Sequence, residues 1–83
     1  MIHIFGFYKF KRLFALKRLK VIFQDILTRN ELRGTIIFSK EGINGTISGK
    51  KNNIQRVKKK LINYFKIKNF DSENNSTSYF QPF

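Results

Sequence analysis

Glu41 and Asn44 are the residues in this chain whose types are best suited to specific chemistry. Glu41 is an acid in a basic neighbourhood, where a sheet scaffold has no need of one. Asn44 carries an amide that donates and accepts hydrogen bonds at once, which suits the edge of a nucleobase. Both also suit a plainer role, hydrogen bonding to the backbone of a turn, and at this level the two readings stay open. Around them lie cations that suit phosphate: Lys9, Lys11, Arg12, Lys40, Lys50, Lys51, Lys58 and Lys59. Contacts of that kind position a nucleic acid without reading its sequence. The Lys58-Lys59-Lys60 run fits a solvated helix face as well as a docking patch.

Other chemistries are excluded or poorly supported. The chain has no cysteine, so disulfides, thiolate zinc sites and a cysteine nucleophile are ruled out. Its one histidine, His3, has no acid nearby in sequence and reads as structural or exposed. No metal, no cofactor and no catalytic residue is expected. No apolar run approaches the ~20 residues of a membrane span, and Lys9, Lys11 and Arg12 cut short an apolar amino end that no charged residue precedes, a poor signal peptide. The expected setting is cytoplasmic, away from membranes.

Seventeen Lys and Arg against five Asp and Glu give a formal net charge of +12 on 83 residues. So strong a positive field predicts attraction to polyanions, with nucleic acid foremost. A-and-T-rich coding drift would also raise Lys, Asn, Ile and Phe, but it would supply Glu as well, and acids are scarce.

The elements that must position these residues follow from periodicity. Gly34 to Gly49 reads as strand, tight loop, strand. Thr35–Phe38 is β-branched and aromatic, Lys40-Glu41-Gly42 ends in a glycine able to take positive φ, and Ile43–Ser48 alternates. Ile43, Gly45 and Ile47 fall on one side, Asn44, Thr46 and Ser48 on the other. Gly45 inside the strand marks a bulge or a close approach. Ile2–Phe10 reads as a strand with aromatics on both sides, of which Phe5 and Phe7 suit covered core better than open surface for stacking bases. Leu13–Thr28 reads as a helix with Leu16, Leu19, Phe23 and Ile26 on one face and Asn30 as its C-terminal cap. A second helix, 53–66, buries Ile54, Val57, Leu61 and Phe65. Lys50 and Lys51 at its start oppose the helix dipole, a cost that a bound phosphate would reverse. Residues 68–75 read as a polar loop and 76–80 as a last strand, with room for truncation.

The order strand, helix, strand, strand, helix, strand gives a single α+β domain over residues 1–83. Its architecture is a ferredoxin-like βαββαβ plait, an antiparallel sheet with two helices on one face.

Phe7-Tyr8-Lys9-Phe10, Gly34-Thr35-Ile36-Ile37, Glu41-Gly42-Ile43-Asn44-Gly45-Thr46-Ile47-Ser48-Gly49 and Gln81-Pro82-Phe83 together resemble the amino-terminal domain of the rhodanese-domain tRNA uridine hydroxylases. The resemblance covers nearly the whole chain. It implies an acylphosphatase-like fold and a place in oxygen-dependent hydroxylation of the wobble uridine of tRNA. Two departures stand out. Lys40 occupies a place where the family often has proline. The chain also ends at Phe83, where the family continues into a rhodanese domain with a reactive cysteine, so the expectation is a chain without that domain. It would be a truncated frame, half of a split gene or a standalone RNA-binding remnant.

The resulting expectation is a tRNA-binding module that leaves chemistry to a rhodanese partner, in the same chain or a separate one, and is inactive alone. Two alternatives remain. Acylphosphatases share the plait, holding phosphate with an arginine and orienting water with an asparagine, roles in which Arg12 and Asn44 could be cast. Phe10-Lys11-Arg12-Leu13, however, lacks the glycine of a phosphate-cradling loop. The other alternative is a nonfunctional gene remnant, which would show no cooperative melt.

Overall fold

The computed structural model describes residues 1–79; Phe80 and the Gln81-Pro82-Phe83 string of the resemblance lie outside them. The chain runs β1 (Ile2–Phe10), α1 (Leu16–Arg29), β2 (Arg33–Ser39), β3 (Gly42–Gly49), α2 (Lys51–Phe65) and β4 (Ser72–Ser78). The strands form one antiparallel sheet in the order β2-β3-β1-β4. This is the βαββαβ plait expected of an acylphosphatase-like α+β domain.

Register shows which side chains share a face. Phe5, Phe7, Ile36, Ile43 and Ile47 turn to one side and join Leu19, Phe23 and Leu27 of α1 and Ile54, Val57, Leu61 and Phe65 of α2 in a single core. Both helices therefore cover one face. Ile43, Ile47, Val57 and Leu61 are fully enclosed, each worth about 1.5–3 kcal/mol of apolar transfer. Phe5 and Phe7 stack at 5.1 Å and Phe70 closes on both, so these rings are core and not a stacking platform.

Four sequence expectations shift. The first helix begins at Leu16, not Leu13, because the preceding loop is bound to the β2–β3 turn and Ala15 takes a left-handed φ of 54°. The second begins earlier, at Lys51, with the carbonyl of Lys50 accepting the N–H groups of Asn53 and Ile54, and ends where Lys66 turns left-handed. The last strand starts at Ser72 inside the expected polar loop. Its seven residues pair with β1 from Tyr8↔Ser72 to Ile2↔Ser78. Main-chain pairing defines it, which apolar periodicity does not report. Finally, Gly42 has no positive φ. A Cβ there would lie 2.2 Å from the carbonyl oxygen of Lys9, so glycine is needed for the close pairing of β3 with the end of β1.

Asn30 caps α1 as expected, its Nδ2 donating to the carbonyl of Ile26 at 2.7 Å. No helix among the described residues is long and apolar enough to cross a membrane.

Candidate nucleic-acid interface

The loop after β1 and the turn between β2 and β3 are joined through backbone. Lys11 N–H donates to the carbonyl of Glu41 at 3.0 Å and Leu13 N–H to that of Lys40 at 3.3 Å. The turn itself is two residues long, and Ser39 Oγ, not Glu41 or Asn44, donates to the carbonyl of Gly42 across it. This arrangement brings Lys11, Arg12, Lys40 and Glu41 to one end of the sheet. There a cleft of about 920 Å³ is lined by Phe10, Arg12, Phe14, Lys40 and Glu41 over Leu13 and Leu16. Phe10 and Phe14 are 67% and 76% exposed. A second recess beside it shares Arg12 and Phe14 and adds Lys11, Arg18, Tyr64 and Lys66.

Arg18, Lys66, Phe10 and Phe14 thus line the candidate site, and sequence reasoning passed them over. Arg18 and Lys66 are 48 positions apart and meet only because α2 ends where α1 begins. Phe14, in the loop before α1, lies off the helical spacing of Leu16, Leu19 and Phe23, a signal that could have marked it as outward-facing.

The other sequence candidates lie elsewhere. Lys50 and Lys51 follow Gly49, which pairs with His3, whereas Gly42 pairs with Phe10. The length of β3, roughly 23 Å at about 3.3 Å per residue, separates them from the Lys40–Glu41 turn. Lys51 shares a recess with His3, Gln55 and Asn75. Lys59 is exposed on α2. Two cations are engaged within the fold. Lys58 Nζ lies 2.6 Å from Glu73 Oε1 and 5.2 Å from the centroid of the Phe5 ring. Lys9 Nζ lies 3.3 Å from Asp71 Oδ1.

Asn44 stands on the face away from the helices, where register lines up Ile37, Asn44, Tyr8 and Ser72. The next row is Thr35, Thr46, Gly6 and Asn74. No acid occupies either row. Asp71, just before β4, and Glu73 within it point the other way, to Lys9 and Lys58. Asn44, Tyr8 and Ile37 are exposed, whereas Ser48, on the same side by register, is fully buried.

Among the described residues, Asp71 is the one group whose pKa clearly departs from its ordinary value. Its carboxylate accepts the N–H of Phe10 at 2.6 Å, which lowers its pKa. Lys9 adds to that direction, and partial loss of water opposes it.

The geometry does not favour the phosphate cradle of a hydrolase. Two amides of the loop that would form it, those of Lys11 and Leu13, are given to the carbonyls of the β2–β3 turn.

Comparison with known proteins agrees with the fold. The family model described as "UPF0176 acylphosphatase like domain" matches residues 2–83. A protein of Pelagibacter ubique (strain HTCC1062) named tRNA uridine(34) hydroxylase is 51% identical over 83 residues, all of this chain and 28% of that protein. A protein of the same name from Wolbachia sp. subsp. Brugia malayi (strain TRS) is 34% identical over 77 residues, 93% of this chain and again 28% of the relative. The chain therefore spans little more than a quarter of the length of these curated relatives.

Proposed function

This chain belongs to the UPF0176 acylphosphatase-like domain family, and on that premise we propose that it is a tRNA-binding module of tRNA uridine hydroxylation. It holds the RNA largely through phosphates, in the cytoplasm, and leaves the oxidation to a rhodanese domain in the same polypeptide or in a separate chain. The observation that carries this reading is the cluster at one end of the plait. Lys11, Arg12 and Lys40 are drawn together by the loop–turn hydrogen bonds, and Arg18 and Lys66 join them beside exposed aromatic rings. The named relatives act on tRNA, and a field of net +12 favours a polyanion of that kind.

Arg12 and Lys40 are the leading phosphate contacts, because their exposed side chains rise from backbone fixed on both sides of the cleft. Lys11 supports them. Lys50, Lys51 and Lys59 serve a second strand or a more distant part of the RNA. Lys9 and Lys58 contribute through the field more than by contact. Asn44 and Glu41 supply polar groups for base edges.

Titration of tRNA into the purified chain across a salt series, with duplex DNA of equal length as competitor, tests the proposal. Preference for tRNA is expected, with log affinity falling by about 0.7–0.9 per neutralised phosphate for each unit of log salt. Weak binding, or binding equal for both nucleic acids, would reduce the charge to nonspecific attraction.

A further inference from the structure

The cleft between the loop after β1 and the β2–β3 turn combines three chemistries that a phosphate site alone does not need. Phe10 and Phe14 present large rings to solvent. Arg12 and Lys40 supply cations on the loop and on the turn. Glu41 places a carboxylate on the same wall. A site built only for an anion would exclude that carboxylate. Rings without cations would suit a purely apolar partner. Rings, cations and one acceptor together match an unpaired nucleotide, with a π face, a phosphate and an amino-bearing edge. We propose that this cleft binds one unpaired nucleotide of an RNA strand, its base stacked on Phe14 or Phe10, its phosphate at Arg12 and Lys40, and its exocyclic amino group given to Glu41. This inference rests on the RNA-binding reading above and adds to it a site, a ligand class and roles for two phenylalanines.

Several features support it. The loop that carries Arg12 and Phe14 is tied to the turn that carries Lys40 and Glu41 by two backbone hydrogen bonds, so the walls of the cleft are held relative to one another. Phe10 is the last residue of β1, and its N–H is fixed by Asp71. Base–aromatic stacking tolerates any base, whereas a carboxylate acceptor selects bases with an exocyclic amino group, cytosine, adenine or guanine, over uracil. The cleft also adjoins the acid-free rows that carry Tyr8 and Asn44, so a strand leaving it can continue over neutral surface. Charge complementarity favours RNA over an apolar protein segment, because two cations sit among the rings.

The test uses the full chain and two probes. One is a short single-stranded oligoribonucleotide with 2-aminopurine at a central position; the other is the same strand annealed into a duplex. The expected results are a change in 2-aminopurine fluorescence with the single strand and none with the duplex. Leucine at the stacking ring, Phe14→Leu or Phe10→Leu, should lose at least about fivefold in affinity for the single strand, while tyrosine at the same position retains it. The leucine variant keeps an apolar side chain and loses only the π face, so general hydrophobic contact would not separate the two. Glu41→Gln should reduce the preference for cytosine or adenine oligomers over uridine oligomers. Because Phe14 is 76% exposed, matching thermal melts are expected for all variants, and Phe10→Leu serves as an independent second variant.

Three outcomes overturn the inference. If the wild-type chain binds neither tRNA nor oligomer at low salt, the RNA-binding reading falls with it. If tRNA binds with its full salt slope but the fluorescence is silent, or Phe14→Leu and Phe10→Leu both equal wild type, the nucleotide site falls alone. If the leucine variants bind RNA normally and lose association only with a rhodanese-domain protein, the rings belong to a protein contact.

Discussion

The carboxylate of Asp71 accepts the backbone N–H of Phe10 at 2.6 Å, while the N–H of Asp71 is given to the carbonyl of Tyr8 at 2.8 Å. This reciprocal pair fastens the start of β4 to the end of β1, beside the cleft. The pKa of Asp71 is lowered chiefly by the Phe10 N–H and further by Lys9. A carboxylate with a depressed folded-state pKa contributes stability above its unfolded pKa, and that contribution is lost as pH falls through the folded value. The chain should therefore lose stability below about pH 4. Asp71→Asn should be less stable at neutral pH and show a flatter acid limb. Thermal melts at pH 2–7 check this; parallel profiles for the two proteins would rule it out. Lys9→Met should flatten the limb less, because the backbone N–H is the larger cause.

A second relationship fixes the pairing of β3. A Cβ placed on Gly45 would lie 2.6 Å from Cζ of Phe7 and 3.1 Å from the carbonyl oxygen of Thr35. The Phe7 ring has nowhere to retreat, being packed 5.1 Å from Phe5 and 5.0 Å from Phe70. Gly45→Ala should cost about 1–3 kcal/mol, as overpacked cores do. Urea denaturation should show a lower midpoint with an unchanged slope. An unchanged midpoint would mean that the ring shifts freely.

Much of this was legible in the sequence, for physical reasons. The alternation of Ile43, Gly45 and Ile47 against Asn44 and Thr46 gave the covered side of β3, and Gly45 marked the close approach that proves to be the Phe7 ring. The stripe Ile54, Val57, Leu61 and Phe65 is the buried face of α2. Periodicity failed where the backbone decides. The strand 72–78 has no apolar side chain and exists through pairing with β1. The start of α1 is set by loop–turn hydrogen bonds from Lys11 to Glu41 and from Leu13 to Lys40, residues far apart in sequence. For the interface, charge alone gave a scattered set of lysines. Position along the sheet, ion pairing and the antiparallel course of the helices sort that set into one cluster and several outliers.

Lys58 illustrates that sorting. It is paired with Glu73 at 2.6 Å and lies over the Phe5 ring, so its charge is committed to the fold. Lys58→Met should lose about 0.5–1 kcal/mol of stability, the range for a partly exposed cation over a ring, with tRNA affinity changed less than twofold. A loss of affinity comparable to that of Arg12→Ala would return Lys58 to the contact surface.

The two ends of the plait give the sharpest comparison. Arg12 and Lys40 share one cleft, while Lys50 and Lys51 lie the length of β3 away. Arg12→Ala/Lys40→Ala and Lys50→Ala/Lys51→Ala lower the net charge equally, from +12 to +10. If only the overall field mattered, both pairs would weaken tRNA binding alike. If the cleft is the contact, the first pair should lower the slope of log affinity against log salt by about 1.4–1.8, at about 0.7–0.9 per phosphate. The second pair should change the slope by less than half as much. Removing Lys50 and Lys51 should also stabilise the fold slightly, by about 0.3–1 kcal/mol per charge, since α2 begins with cations and no acid against its dipole. Salt-series titrations and melts of the two double variants read both effects. Equal slopes would assign binding to net charge, and a larger effect at Lys50 and Lys51 would move the interface to the start of α2.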